Sequence, residues 1–586
     1  MKYPGWPLGP PHSSGLSGCS ACAHFASMSM PLLRAVWATA LIVGAAMRLS
    51  GQDRPVNTTP VNLPEFNVVA AHELPPPETW YYTKIAGQEV LSSTSRQRTE
   101  QLANDLTHLL HALELSGTRL LPATAAPLRI MITGGMDQFV SLAPRALESG
   151  TEDPETAVLG QAEQPILVIN AAAHAFDFAD AGQDNLTESE TAEGAVPAMR
   201  AANTTRNLQL GYLRVRLAQP RPPLQPWLIE GVAQVLAWTR ITETSVTLGQ
   251  VDDPNETGAI GSTDREPGRV SQGDLQHRAT HFQDSLSDQM DFNAALAHSA
   301  LFPLEEMFAG DLRKFPGTEN ASQLLRWKKQ CHAFVHWGLF GDLGRNSSQF
   351  LTFTRRLRTE PLTEKLFQEC FRMNYAAAVG ALRVHVESTR SKVHGVKANK
   401  GEKLPPAPTV EVRPATLLEI ARLKSIAYAS SGQLDRAREE LILAYRRGER
   451  SPDLVAELGT VERALGHPDR AAHYLTLAMK ARTTRTHAYL ALAQLRLDER
   501  LAKPQGKDGK LSYEQLLGVI EPLLLARTQA ARTPEIYMLF ADAWMKTAAA
   551  PPTQHLAFVD EGVRLYPDNT ALRDARALLG PTATAP

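Results

Sequence analysis

Two pairs of histidines stand at the spacing that puts both imidazoles on one face of a helix: His277 with His281, and His332 with His336. Two such rings make half of a zinc site. Hydrolysis at the metal also needs a third ligand and a carboxylate base beside the first histidine. Neither pair has that base, because Arg278 and Ala333 stand where glutamate belongs. The first pair lies in polar sequence with weak helical character, whereas the second encloses Phe334 and Val335 and fits a buried face. Glu230 is the carboxylate best placed to serve as a ligand, yet residues 175–276 contain neither histidine nor cysteine. A catalytic zinc takes about three protein ligands, so a lone carboxylate cannot keep one. His108 and His111 sit on an amphipathic stretch and read as surface or boundary residues. Cys331 adjoins His332, but neighbours on a helix point in different directions, so adjacency does not make a dyad. Cys19 and Cys22 form the one CxxC, in Pro/Gly/Ser-rich sequence with no second pair. No phosphate loop with its lysine and no G-x-S-x-G elbow occurs. The residues therefore predict no metal, no cofactor and no catalytic set.

The elements around these residues follow from periodicity. Short strands are expected at 80–83, 89–92, 128–132 and 165–169. Leu102, Leu106, Leu109, Leu110 and Leu113 have helical spacing, so 95–116 reads as a helix capped by Thr94 or Ser95. Residues 178–198 are acidic and suit a surface insertion. Helices are expected at about 200–218 and 226–240, then a long Gly/Asp/Thr/Ser-rich loop from 243 to 288. Further helices are expected at 304–308, 321–340, 347–357, 363–371 and 375–390. The segment 391–414 carries Lys392, Lys397, Lys400 and Lys403, then Pro405, Pro406, Pro408 and Pro414, a composition that favours extended backbone.

At 586 residues the chain is too long for one core, and a prior of roughly 150 residues per domain implies several. Lys+Arg of 60 against Asp+Glu of 62 gives a net charge of −2, which offers no field for nucleic acid or an anionic membrane. Arg34 precedes an uncharged run from Ala35 to Met47, the length of a signal-peptide core and short for a bilayer span. Export to the periplasm, cell envelope or medium is expected, with membrane contact only if this segment stays as an anchor. The expected divisions are an N-terminal extension with signal peptide or anchor (1–51), a linker (52–77), an α/β domain (78–390), a Lys/Pro-rich linker (391–414) and helical repeats (415–580).

The last division rests on recurrence. Gly432-Gln433-Leu434-Asp435-Arg436-Ala437 returns as Gly466-His467-Pro468-Asp469-Arg470-Ala471, an offset of 34 residues from Gly432 to Gly466. That is the period of the tetratricopeptide repeat. Leu458-Gly459, Tyr428, Ala444 and Ala478 occupy matching small and aromatic positions, and 502–510 is a polar insert in the third unit. Small residues there let paired helices approach closely, and each unit needs its neighbours to bury its face. Such an array implies a protein or peptide partner.

The middle of the α/β domain resembles the peptidase-MA-like (DUF1570-type) gluzincin family. Trp227-Leu228-Ile229-Glu230-Gly231-Val232-Ala233 is similar to that family's W-L-x-E-G-x-A segment, 333–340 to the helix after the site, and 371–375 to its F-x-x-x-Y ending. The resemblance spans 78–390 and implies an α+β domain with a mostly helical second half. In that family an H-E-x-x-H helix precedes the segment, and its two histidines with the glutamate of E-G hold zinc. The matching stretch here puts Gln209 and Leu213 at the histidine positions and Leu210 at the base. None of the three can do that work, which leaves Glu230 as a relic of the third ligand and Trp227 as a core residue. The expected whole is an exported, non-catalytic scaffold that binds protein through its repeats. The alternatives are a zinc peptidase whose unusual site joins Glu230 to one of the histidine pairs, and an envelope assembly protein of other ancestry.

Overall fold

The computed structural model of the protein describes residue 74 and residues 76–118, 120–121, 128–146, 156–160, 165–171, 192–219, 222–251, 292–296, 299–310, 321–344, 346–388, 394–529 and 532–580. The apolar run 35–47 expected to direct export, Cys19, Cys22, most of the 52–77 segment, His277 and His281 lie outside the described residues.

Tyr81–Ile85 (β1) and Gln88–Ser92 (β2) form an antiparallel hairpin. Arg96–Leu115 (α1) follows, capped by the Ser95 side chain on Arg98 N–H. It returns the chain to Arg129–Thr133 (β3), parallel to β2. Met136–Leu142 (α2) then leads to Thr156–Leu159 (β4) and Ile166–Asn170 (β5). β5 runs parallel to β3, and β4 antiparallel to β5 at one edge. The fold here is mixed α/β, built on this small mixed sheet and otherwise mostly helical.

Helices cover one face of that sheet. Ala192–Ala218 (α3) begins inside the stretch expected as an acidic insertion and packs on β5. Pro226–Ala237 (α4) starts at the turn Pro226 favours and leads to the short strands Arg240–Ile241 (β6) and Ser245–Leu248 (β7). Phe292–Leu296 (α5), Leu304–Ala309 (α6), Ala321–Phe340 (α7), Ser347–Arg356 (α8), Glu364–Phe371 (α9) and Tyr375–Ser388 (α10) complete this half. No described helix is long and apolar enough to cross a membrane.

The Lys/Pro-rich segment is extended, as its composition predicts, but it is tied down along its length. His394–Lys397 (β8) pairs with β7, and Arg413–Pro414 (β9) joins the sheet edge beside β1. Between them His111 Nε2 lies 2.8 Å from the Pro405 carbonyl, and the Leu404 N–H donates to Glu243 O at 2.7 Å. The segment is a strap across α1.

Beyond it come Leu417–Ser430 (α11), Leu434–Arg446 (α12), Pro452–Ala464 (α13), Pro468–Lys480 (α14), Thr486–Ala502 (α15), Tyr513–Ala526 (α16), Pro534–Met545 (α17), Thr553–Leu565 (α18) and Thr570–Leu578 (α19). Thr416 and Glu419 form a reciprocal capping box at the start of α11, and Ser512 with Gln515 another at α16. Gly432 (φ 83°) and Gly466 (φ 79°) close the turns inside α11–α12 and α13–α14 in the left-handed conformation that glycine adopts freely. Gly448 (φ 100°) and Arg482 (φ 60°) do the same after α12 and α14, the arginine at the steric cost a Cβ imposes. At Gly459 a Cβ would fall 2.6 Å from Leu475 Cγ, so α13 and α14 approach as closely as the small residue allows.

The sheet is shared between two cores. Ile85, Val90, Ile130, Ile132, Leu167 and Ile169 pack with α1, α3, α4 and α7. Their alternates Tyr82, Leu91, Met131, Ile166 and Val168 belong to the core that runs through α11–α19. Period-two alternation sends successive side chains to opposite faces, and both faces are dry. Polar contacts seal the second contact. Arg422 of α11 forms a two-pronged pair with Glu89, which also accepts from Tyr82 Oη at 3.0 Å. Gln433 Nε2 donates to Ser141 O at 2.8 Å, and Ser141 Oγ meets Tyr428 Oη at 2.9 Å. Burial opposes charge on Glu89, and the Arg422 guanidinium outweighs it, holding the carboxyl below its ordinary range.

Candidate functional site

Glu230 sits on α4, 6% exposed, with Trp227 one turn earlier in the chain and fully buried. Trp227 packs against Phe308 at 4.8 Å and edge-on to Phe334 at 5.5 Å, centroid to centroid, so it is a core residue. Gly231 allows this arrangement. A Cβ there would lie 2.4 Å from Val335 Cγ2 and 2.5 Å from the Cys331 carbonyl, so α4 and α7 could not approach as they do.

The carboxylate does not face an open position. Arg214 Nε donates to Glu230 Oε2 and Arg214 Nη2 to Oε1, both at 2.8 Å, and Gln234 Nε2 donates to Oε1 at 3.0 Å. The planar guanidinium matches both oxygens in the fork geometry that makes arginine–carboxylate pairs strong. The same face of α3 carries Arg206 two turns earlier. Arg206 donates to the Ala237 carbonyl at the end of α4 and lies 3.9 Å from the Trp238 ring centroid. Two arginines thus clamp α4 along its length.

The positions expected to replace the zinc-binding motif are elsewhere. Leu210 and Leu213 are fully buried in the core that covers the sheet. Gln209 points towards α1, its Nε2 3.5 Å from the Asp105 carbonyl. The α3 residue that meets Glu230 is Arg214, one position beyond Leu213. Sequence reasoning missed it because the expected register named Leu213. The available signal was a cationic side chain on the helix preceding a glutamate that stands in an apolar helix.

The second histidine pair lies on α7, close to this clamp in the same core. His336 Nε2 lies 2.9 Å from the Gly249 carbonyl and must donate to it. In the neutral ring Nδ1 then accepts, and its partner at 2.9 Å is His385 Nε2 of α10. His332 is wholly buried, with neither ring nitrogen hydrogen-bonded among the described residues. Phe292 lies against all three rings, at 4.9 Å from His332, 5.1 Å from His336 and 6.0 Å from His385. Burial, with Lys329 and the other histidines nearby, pushes the His332 pKa well below the usual imidazole value, so the ring is neutral. Cys331 is also wholly buried, and burial together with the Glu230 charge pushes its thiol pKa well up. A thiol so protonated is no nucleophile.

Chemically, then, this region joins helices. Among the described residues no three His, Cys, Asp or Glu side chains come together in a group able to hold a metal ion. Compared with family models, curated proteins and solved structures, the chain matches none.

Proposed function

We propose that the protein is an exported, non-catalytic scaffold in which a degenerate peptidase-MA-like domain is joined to tetratricopeptide repeats that bind a partner protein. The bidentate Arg214–Glu230 pair carries the first part of this reading. To ligate zinc, Glu230 would have to give up two charge-assisted hydrogen bonds and accept a dication beside a permanent cation. The arginine itself has no lone pair to offer. A relic third-ligand glutamate neutralised by an arginine is what a pseudo-enzyme of this ancestry would keep, because an unpaired buried carboxylate costs several kcal/mol.

Support for the repeat reading comes from backbone geometry that recurs with the sequence. Left-handed residues stand at 432 and 466 and again at 448 and 482, each pair 34 apart. Buried Ala444 and Ala478, also 34 apart, let neighbouring helices pack closely. Arrays of this kind serve many functions, so the partner must be read from surface chemistry and not from the fold. Export rests on the apolar run 35–47.

A peptidase assay tests the scaffold reading. Full-length protein supplied with zinc should cleave a mixed peptide library no faster than its Glu230→Gln variant. Cleavage that chelator abolishes and Glu230→Gln removes would overturn it.

A further inference from the structure

Three histidine rings meet in one buried core around Phe292 of α5: His332 and His336, one turn apart on α7, and His385 in the last turn of α10. His332 is the odd member. It is wholly buried, and neither ring nitrogen has a hydrogen-bond partner among the described residues. A neutral imidazole carries one donor and one acceptor, so leaving both unmet costs stability that an apolar side chain there would not lose. What histidine adds at such a place is the capacity to take a proton near neutral pH.

The arrangement has room for few protons. His336 donates from Nε2 to the Gly249 carbonyl at 2.9 Å, which leaves Nδ1 to accept from His385 Nε2 at 2.9 Å. His385 is half-buried and can take a first proton while still donating to His336. A second proton, on His336, sets two N–H groups head to head across that contact. A proton on His332 finds no acceptor. Burial already opposes charge there, and the charged groups that bear on it are Lys329 and His336 of its own helix, Arg206 of α3 and His385 of α10, which repel a proton when they carry charge. Among the described side chains of the other elements packed on α7, none supplies the missing counter-charge. Helix α5 has no titratable residue, and Glu230 of α4 is closed by Arg214 and Gln234. Glu305 and Glu306 of α6 and Glu387 of α10 are exposed, as is Arg355 of α8, and Arg356 is tied to Glu360 and Glu369.

We propose that this cluster is an acid-responsive latch: as pH falls, proton uptake by the histidines favours a state in which α10 and the Gly249 turn part from α7 and water reaches the rings. The two partings bear on one structure. Gly249 directly follows β7, the chain runs on from α10 into β8, and β7 pairs with β8 at the start of the strap that leads to the repeats. The latch therefore regulates how the strap is anchored, and it stands whether or not the repeats hold a partner.

Hydrogen exchange of the full-length protein, read by mass spectrometry at pH 7.5 and at pH 5.5, tests this. With intrinsic exchange rates divided out, protection of the α7 and α10 amides should fall at least about tenfold. That is the factor for one histidine that stays neutral when closed and titrates near its ordinary value of about 6.5 when open. The sign follows from the proton count: the open state binds more protons, so acid favours it. Peptides of α12, which has no histidine, should keep their protection. His332→Leu should take about a factor of ten out of the fall in α7 and α10, and His332→Phe should do the same if the leucine variant does not fold. Protection of α7 and α10 that acid leaves unchanged in the wild type, or an equal fall in a folded His332 variant, overturns the proposal.

Discussion

Replacing Arg214 with methionine removes two of the three described hydrogen bonds to Glu230 and keeps most of the side-chain volume. The carboxylate, 6% exposed, then keeps only the Gln234 donor at 3.0 Å among those bonds. Leaving a buried charge without its partner costs about 3–5 kcal/mol, and removing both charges is often neutral by comparison. The expected sign is therefore unusual. Arg214→Met should lose about 3–5 kcal/mol, and adding Glu230→Met should recover at least about half of that loss. Glu230→Met alone should cost less, since the Arg214 side chain is 21% exposed and its freed end can reach water. Guanidinium unfolding followed by tryptophan fluorescence reads this double-mutant cycle, with buried Trp227 beside the pair as reporter. A single-mutant cost under about 1 kcal/mol, or losses that simply add, would refute the clamp as the reason Glu230 is tolerated in the core.

Glu457 of α13 offers a pH test. It is 5% exposed; burial pushes its pKa up, but His487, Arg485 and Arg422 outweigh this and lower it to about 2. A group depressed in the folded state contributes stability above its unfolded pKa, and that stability is lost as pH falls from about 4.5 towards 2. Part of this contribution comes from His487 and counts only while that ring is protonated, and solvent at the half-exposed His487 weakens it further. Denaturation profiles should lose this stability across that window in the wild type but not in Glu457→Gln; parallel profiles would exclude the effect. Gly231→Ala forces a Cβ to within 2.5 Å of Val335 and the Cys331 carbonyl, and should destabilise by about 1–3 kcal/mol in the same unfolding assay. No change there would mean that α4 and α7 can separate freely. A fragment ending at residue 414 bares the sheet face formed by Tyr82, Leu91, Met131 and Val168. It should aggregate or bind a hydrophobic dye strongly, and a soluble, dye-silent fragment would show that the second core is dispensable.

Local pattern made much of this fold legible. The leucine spacing of 102–113 marked α1, and Val/Ile/Leu runs marked β3 and β5, because their periodicity reports burial directly. The recurring Gly432 and Gly466 were readable because the left-handed turn they form favours glycine. What stayed hidden depends on long-range pairing. β4 and β7 are short and have no run of their own, and they exist through their partners β5 and β8. The strap 394–414 looked like a spacer because lysine and proline composition reports extension and not what the backbone bonds to. The double use of the sheet was likewise invisible, since alternating Met131 and Ile132 mark two buried faces without naming what covers them. At the candidate site the absence of histidine before Glu230 was plain. The pairing of Glu230 with Arg214 was not, because one residue of register separates a side chain facing the sheet from one facing α4.

The central claim is that an arginine, and not a metal ion, satisfies Glu230. Zinc content of the purified protein, measured after growth in zinc-supplemented medium and brief dialysis, tests it most directly. The account predicts only trace zinc, unchanged by Glu230→Gln or His336→Ala. Near-stoichiometric zinc that is lost with either substitution would contradict it.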